Sequence, residues 1–578
     1  MRTVVLALLL LTLLAFSKTD SPASFYPQDF FRWPVDHPIR LSGTFGELRP
    51  NHFHAGVDIK SRAGKVGDPI LAAGEGFLSR IVVDASGYGN VLYLEHPNGY
   101  TTVYAHLNNF VGRVADYVKE QQYARESFEV ELFPEPGQFA FRQGEKIGEL
   151  GNSGSSGGPH LHFEVRHTET ERPVNPLLFG LQMEDHRAPR MHQLKVYQFD
   201  EQGHEVGSDL YSLREGSGSY TVSGDTLLVQ TGQIGFGLKS YDHHDQVSNW
   251  NGIFELNVLV DDTLYFNFEM ESFGFDETRY INAHLDYEER LRHKAYFNRC
   301  FTLPGNHLTI YNHEIGSGLL HLVPGERRRV DLQTADVYGN MASLTFWVKR
   351  DPKPQAVAAD QPLYNYYLYQ DQENLIETPG CTLYFPHNTF YEDLPLNLRR
   401  SDDASNGHYS PVFHVHNYLT PVHSYYDISL TPDREIPADK RSKAFVAYCS
   451  GGSAELNCGG QWDEQGRLTA KVRDLGDFCI LLDEQAPTIQ AVSFRSDMGG
   501  RSHMSFRIKD ELRTARNVED LTYRATVDGQ WILMEYDKKS NLLRHDFDGR
   551  IGPGKHQLRL EVKDAVGNAK VFEKEFSR

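Results

Sequence analysis

The chain has 578 residues, which at roughly 100–200 residues per domain makes about three to five domains and buries several cores without disulfide stapling. Its formal net charge of -20 at pH 7 is spread along the chain with no Lys/Arg run to offset it. That field speaks against nucleic acid as a partner and against adhesion to anionic lipid.

Residues 1–17 read as a secretory signal. Arg2 gives a positive start, Val4 to Leu14 an apolar run, and Ala15-Phe16-Ser17 the small residues of a cleavage site. The run is shorter than the roughly 20 residues of a spanning helix. The expectation is therefore an exported protein, periplasmic or extracellular, with no stable membrane insertion after cleavage. Five cysteines follow, none in a Cys-x-x-Cys pair. Cys381, Cys449, Cys458 and Cys479 cluster in one region and fit one or two disulfides of an exported domain.

Residues 18–182 form the first expected domain, with a core at about 41–176. Short β-branched runs such as Val91-Leu92-Tyr93-Leu94 alternate there with turn signals such as Pro97-Asn98-Gly99, an antiparallel β pattern. Val114 to Arg125 breaks it as a short helix, followed by the strand-like Phe128 to Phe133. A β-rich region at 183–351 contains Asp336-Val337-Tyr338-Gly339-Asn340. A linker at 352–362 leads to a β-rich, cysteine-bearing domain at 363–485. The last domain, 486–578, repeats the hairpin turn as Asp564-Ala565-Val566-Gly567-Asn568. The two turns predict immunoglobulin-like sandwiches. The fold class is mainly β throughout.

Chemistry concentrates in the first domain. In His54-Ala55-Gly56-Val57-Asp58 an extended chain puts residues 54, 56 and 58 on one face, and Gly56 leaves room for an ion between His54 and Asp58. In Pro159-His160-Leu161-His162-Phe163-Glu164-Val165 both imidazoles share a face, with apolar residues opposite. Val103-Tyr104-Ala105-His106-Leu107 ends a third strand on a histidine. Two His and one Asp with a position left for water is the pattern of catalytic zinc, and further His suit acid–base work. With 26 histidines, other clusters arise by chance. His414-Val415-His416 reads as a surface strand pair, and His243-His244-Asp245 sits beside Ser248 to Gly252, which reads as a turn, with a metal site as the lesser alternative.

Residues 41–176 resemble the lysostaphin/LytM-type metallopeptidase domain. The resemblance rests on His54 to Ile59, Gly67 to Gly76, Gly87-Tyr88-Gly89-Asn90, Tyr104-Ala105-His106-Leu107, Gly148 to Gly151 and Gly158 to Glu164, in that order. It implies a small, mostly antiparallel β domain with an open groove. It also implies a Zn2+ ion on His54, Asp58 and His162, and catalytic, non-ligand roles for His106 and His160. Which of those two is the general base stays open. The implied activity is zinc-dependent hydrolysis of peptide cross-links, with peptidoglycan stem peptides as the partner. A non-catalytic activator of another wall hydrolase and an extracellular protease acting on proteins are the alternatives. One departure from the family is an insertion centred on Val114–Phe141, expected to wall the groove.

Overall fold

The structure is a computed structural model. It describes residues 22–578 apart from 217–218, 225, 246, 355–363, 403–406 and 451–452. The expected signal segment and most of the 352–362 linker lie outside the described residues. Among the described residues, no helix is long and apolar enough to cross a membrane.

The N-terminal unit is built from β1 (Leu41–Gly43), β2 (Leu48–Arg49), β3 (His52–Phe53), β4 (Val57–Lys60), β5 (Pro69–Leu71), β6 (Gly76–Val83) and β7 (Asn90–Glu95). The chain continues through β8 (Tyr100–Ala105), β9 (Asn109–Phe110), α1 (Gly112–Arg125), β10 (Val130–Leu132), β11 (Ala140–Phe141), β12 (Lys146–Glu149), β13 (His160–His167) and β14 (Pro173–Val174). The main sheet runs β1-β4-β13-β8-β7-β6-β10, with β14 on β13 and β11 on β6. Its neighbours pair antiparallel. Period-two alternation drives Leu161, Phe163 and Val165 of β13 into a core with Val57, Ile59, Leu92, Leu94 and Tyr104. The opposite face of β13 carries the polar series His160, His162, Glu164 and Arg166.

Helix α1 of the insertion lines a cavity together with Asn108 and Asn152 to Gly154, while the insertion's strands lie farther from that series. These strands, β10 and β11, extend the sheet at β6, the edge remote from β4 and β13. Helix α1 buries Val114 and Val118 in the N-terminal core. Its Tyr123 meets Trp531 of the C-terminal unit edge-on at 5.2 Å, and Lys119 pairs with Asp548 at 2.6 Å. Phe128 packs against the C-terminal core. Tyr123 and Phe128 of the insertion thus find apolar partners on a neighbouring unit, while Tyr117 and Phe139 pack in the N-terminal core and Phe133 stays exposed.

The rest of the chain is also β. Residues 190–350 form a twelve-stranded sheet, in which Ser219–Val222 and Thr226–Val229 run parallel to Met341–Arg350. Residues 366–482 contain two five-stranded sheets whose side chains share one core, and 488–577 contain two four-stranded sheets over another. All five cysteines are free and buried, in place of the expected disulfides. Cys381 and Cys458 sit in the core, while Cys449 and Cys479 face each other from adjacent strands with sulfurs 2.6 Å apart.

The β2–β3 hairpin leaves the N-terminal sheet and inserts into the next unit. Phe45, Phe53 and Ala55 belong to the core of the 190–350 sheet, and Phe53 lies 5.3 Å from Phe273 by ring centroid. Phe53→Ala empties a fully buried site, and such truncations cost about 3–5 kcal/mol. The expected result is a lowered denaturant midpoint for the transition that includes both units. An unchanged midpoint would contradict this packing.

Candidate metal centre

Strand register brings the site together. Asp58 of β4 is the direct antiparallel partner of His162 on β13, and His162 is opposite Ala105 on β8, so His106 follows at the end of that strand. His160 shares the face of His162, as period-two spacing predicts. His54 arrives differently from the expectation. It lies outside β4, in the turn after the β2–β3 hairpin, where its N–H donates to Glu47 O at 3.0 Å. The role expected of Gly56 changes too. A Cβ on Gly56 would lie 2.3 Å from the Phe163 carbonyl oxygen, so glycine is required there by the close approach of β13 rather than by an ion.

His54 Nε2, Asp58 Oδ1 and His162 Nδ1 form a triangle with sides of 3.0, 3.0 and 2.9 Å. The proton positions are fixed by the outer partners. His54 Nδ1 lies 2.8 Å from the Thr44 carbonyl oxygen, which can only accept, so Nδ1 carries the hydrogen. His162 Nε2 lies 2.7 Å from Glu164 Oε1 and donates in the same way. If both rings were neutral, bare lone pairs would face each other and a carboxylate oxygen. All three residues are buried, with 2, 6 and 3% exposure. Such an arrangement is stable only with positive charge among the three atoms.

A proton is one source of that charge. Burial lowers the His162 pKa, but its bonds to Asp58 and Glu164 outweigh burial and lift it to about 9. Burial pushes His54 down to about 4, against the pull of Asp58. Burial acts to raise Asp58, yet the three surrounding imidazoles hold it well below the usual carboxylate range. A divalent cation is the other source, and this donor set fits it. Two imidazole nitrogens and a carboxylate oxygen, each oriented by an outer hydrogen bond, make a three-ligand zinc-type site with room for a fourth ligand.

The other two histidines flank the triangle. His160 Nε2 lies 3.4 Å from Asp58 Oδ1, and its Nδ1 donates to Gly158 O at 2.8 Å. The His106 ring is 4.9 Å from that of His160 and donates from Nδ1 to Ser153 O at 3.0 Å. Burial, with the nearby His162 and His160, pushes His106 down to about 3. His106 adopts φ 60°, a left-handed conformation uncommon outside glycine, which turns its side chain out of β8. The loop that holds it comes very close to the Gly87–Asn90 turn. A Cβ on Gly89 would meet Ser153 at 2.4 Å.

Several contributors were not singled out from sequence. Arg49 Nη2 binds Asp58 Oδ2 at 2.6 Å and leaves Oδ1 for the triangle. Glu164 is fully buried, accepts from Tyr88 Oη at 2.5 Å and from Arg166 Nε at 2.6 Å, and is held ionised near pKa 2 against burial by Arg166 and His162. Tyr88 stacks on His162 at 5.0 Å. The period-two rule that paired His160 with His162 also points to Glu164. Nothing local marks Thr44 or Arg49. Of the other histidine clusters, His414 bonds Asp477 and Ser401 on the strand Val412–Val415.

Two imidazoles and a carboxylate thus converge, with two more imidazoles alongside. Residues 52–124 match the model of peptidase family M23, and the chain contains a domain of that family. Residues 365–483 match a Zu5-like domain. The peptidoglycan DD-endopeptidase ShyC of Vibrio cholerae is 31% identical over 164 residues, 25% of this chain and 30% of the relative. The DD-carboxypeptidase/endopeptidase Mpg of Neisseria meningitidis is 32% identical over 147 residues, 25% and 27% of the two chains. The chain thus spans less than a third of either relative. Among solved structures, the catalytic domain of the prophage-encoded M23 protein EnpA from Enterococcus faecalis is 21% identical. It covers 26% of this chain and 98% of that one, with a TM-score of 0.20.

The Glu164 contact yields a direct test. Glu164→Ala removes the acceptor that fixes the His162 tautomer, and losses of this kind cost about 10–100-fold in metal affinity. Titration against a chromophoric chelator should read that drop. Unaltered affinity would mean that the tautomer is set elsewhere.

Proposed function

We propose that the protein is an exported zinc metalloendopeptidase that hydrolyses peptide cross-links of bacterial peptidoglycan in the cell envelope. The observation that carries this reading is the triangle of His54 Nε2, Asp58 Oδ1 and His162 Nδ1, whose ring hydrogens are committed to Thr44 and Glu164. These three residues are the proposed zinc ligands. Zinc there supplies Lewis acidity, lowering the pKa of a bound water toward about 7 and polarising a scissile carbonyl. His106 and His160 are the proposed catalytic histidines. Each has its Nδ1–H committed to a backbone carbonyl, so each presents an Nε2 lone pair beside the triangle. One takes the proton of the attacking water and passes it to the leaving amine, and the other steadies the reacting group. The substrate class is supported by the relatives whose names state peptidoglycan endopeptidase activity. We further propose domain limits of 18–182, 183–351, 363–485 and 486–578, with the last three as non-catalytic modules.

The purified chain should hold zinc at the triangle, and His162→Ala should lose that ion together with activity, because two protein ligands rarely retain catalytic zinc. Digestion of purified muropeptides, run beside a casein assay, reads the substrate. Cleavage of cross-linked dimers supports the proposal, whereas cleavage of casein alone would make the protein a general protease.

His106→Ala and His160→Ala should keep the metal and each lose about two or more orders of magnitude in kcat, the scale of a positioned acid–base group. Loss of zinc from either variant with an intact fold would reassign that residue as a ligand.

A further inference from the structure

A second convergence of ligand-type side chains lies where the M23 domain joins the 190–350 sheet. Asp185 precedes the strand Arg190–Phe199, and Asp242 and His244 follow the strand Gln233–Tyr241. Their side chains are 0, 2 and 3% exposed. One ligating atom from each lies within 4.8 Å of the other two. Asp185 Oδ2, Asp242 Oδ1 and His244 Nδ1 are buried without a hydrogen-bond partner, as are both amide atoms of Asn251, the bridge partner of Asp242. Buried polar atoms are normally paired; of these, Asp185 Oδ2 lies on the side of His244 Nε2, 3.9 Å from it, where a ligand would satisfy it.

The charge balance points the same way. Among the described residues, His244 is the only basic side chain within ion-pairing distance of Asp185 or Asp242. Arg187, close by in sequence, instead donates to the carbonyls of His244 and Val247. Asp336 adds a third buried carboxylate. Burial, opposed by its bond with Asn340, together with Asp242 and Asp185 pushes it up to about 6.

The distances are looser than those of a hydrogen-bonded ion pair. His244 Nε2 lies 3.3 Å from Asp242 Oδ2 and 3.9 Å from Asp185 Oδ2. A charge-assisted hydrogen bond would bring these atoms to about 2.7–2.9 Å. A tetrahedral ion with bonds of about 2.0–2.2 Å spaces its ligand atoms about 3.3–3.6 Å apart; the His244–Asp242 separation falls in that range and the His244–Asp185 separation is slightly longer. The next junction also gathers ligand-type groups, with one oxygen each of Asp483, Asp510 and Asp564 within 4.8 Å of the other two, but it holds no imidazole. It repeats the frame, with Asp483 before Ala486-Pro487, Asp564 opening the same turn, and Asn568 Nδ2 bonding Asp483 O as Asn340 Nδ2 bonds Asp185 O. There Leu512 stands two residues after Asp510, where His244 follows Asp242, and no carboxylate oxygen of Asp483, Asp510 or Asp564 is both buried and unpartnered.

We propose that Asp185, Asp242 and His244 bind a second divalent cation, of the class that takes mixed carboxylate and imidazole ligands, such as zinc or manganese. Its role is structural. The chain between His244 and Gly252 returns to the M23 domain, where Asn249 Oδ1 accepts from Lys60 Nζ and the Gly252 N–H donates to Thr44 Oγ1 at 3.1 Å. Thr44 is the residue whose carbonyl orients His54. A cation that pins the start of this segment therefore stiffens the support of the first site without touching a substrate there.

The test is metal counting on the full chain, equilibrated with zinc, desalted and measured by inductively coupled plasma mass spectrometry. Wild type should hold two zinc ions, Asp242→Asn and His244→Ala one each, and His162→Ala one. In the His162→Ala background, adding zinc should raise the thermal midpoint, and the further change Asp242→Asn should abolish that rise. Circular dichroism checks the fold of each variant. A wild-type count of one that falls to none in His162→Ala would overturn this proposal while leaving the proposed catalytic site standing. Two ions retained by both Asp242→Asn and His244→Ala would overturn it as well. Two ions retained by His162→Ala would instead count against the ligand assignment at the first site.

Discussion

Two imidazole rings in this protein turn their inner nitrogens toward one carboxylate oxygen because their outer ring hydrogens are held from behind. The Thr44 carbonyl holds one and the buried, ionised Glu164 holds the other. Much of the N-terminal unit serves to keep those two outer contacts in place. Glu164 stays ionised without solvent because Arg166 donates to its second oxygen. Arg49 occupies the outer oxygen of Asp58 and so decides which oxygen faces the rings. Losing an outer partner would free a ring to flip and offer a hydrogen where a lone pair is needed.

The site is assembled from both sides of a unit boundary. Asp58, His160 and His162 come from adjacent strands of a single sheet, whose register is fixed because a one-residue slip would turn Phe163 and Val165 out of the core. His54 directly follows the β2–β3 hairpin, and Phe45 before that hairpin and Phe53 within it are buried in the following unit. The second unit is therefore part of the scaffold of the first. An isolated N-terminal fragment would expose these aromatics and lose the anchor of His54 and Thr44.

The C-terminal unit reaches back in the same way. Lys539 contacts the carbonyl oxygens of Asn152 and Ser156, in the loop that positions His106 and His160. Helix α1 docks on that unit through Tyr123 and Lys119. The appended β units thus brace the edge of the sheet and the loops around the site, and a change at these interfaces would reach the histidines through their backbone partners.

Sequence alone carried the mainly β character, the strands with their two faces, and the group His54, Asp58, His106, His160 and His162. These follow from local periodicity and from motifs that each sit on one strand or turn, so residue order is enough to show them. It also carried α1, because Val114 to Arg125 breaks the alternation. Tertiary structure decided the rest. The carbonyl of Thr44 has no sequence signature, since every residue owns one, and only the path of the hairpin brings it to His54. Arg49 resembles any surface arginine until the hairpin folds over Asp58. Gly56 was read as making room for an ion, but the space is taken by the Phe163 carbonyl, a fact of strand packing. The insertion read as a wall of the groove, and only the folded chain shows that Tyr123 and Lys119 of its helix dock on the C-terminal unit. Asp185, Asp242 and His244 come from segments almost 60 residues apart, and their meeting is a property of the junction that no single motif contains.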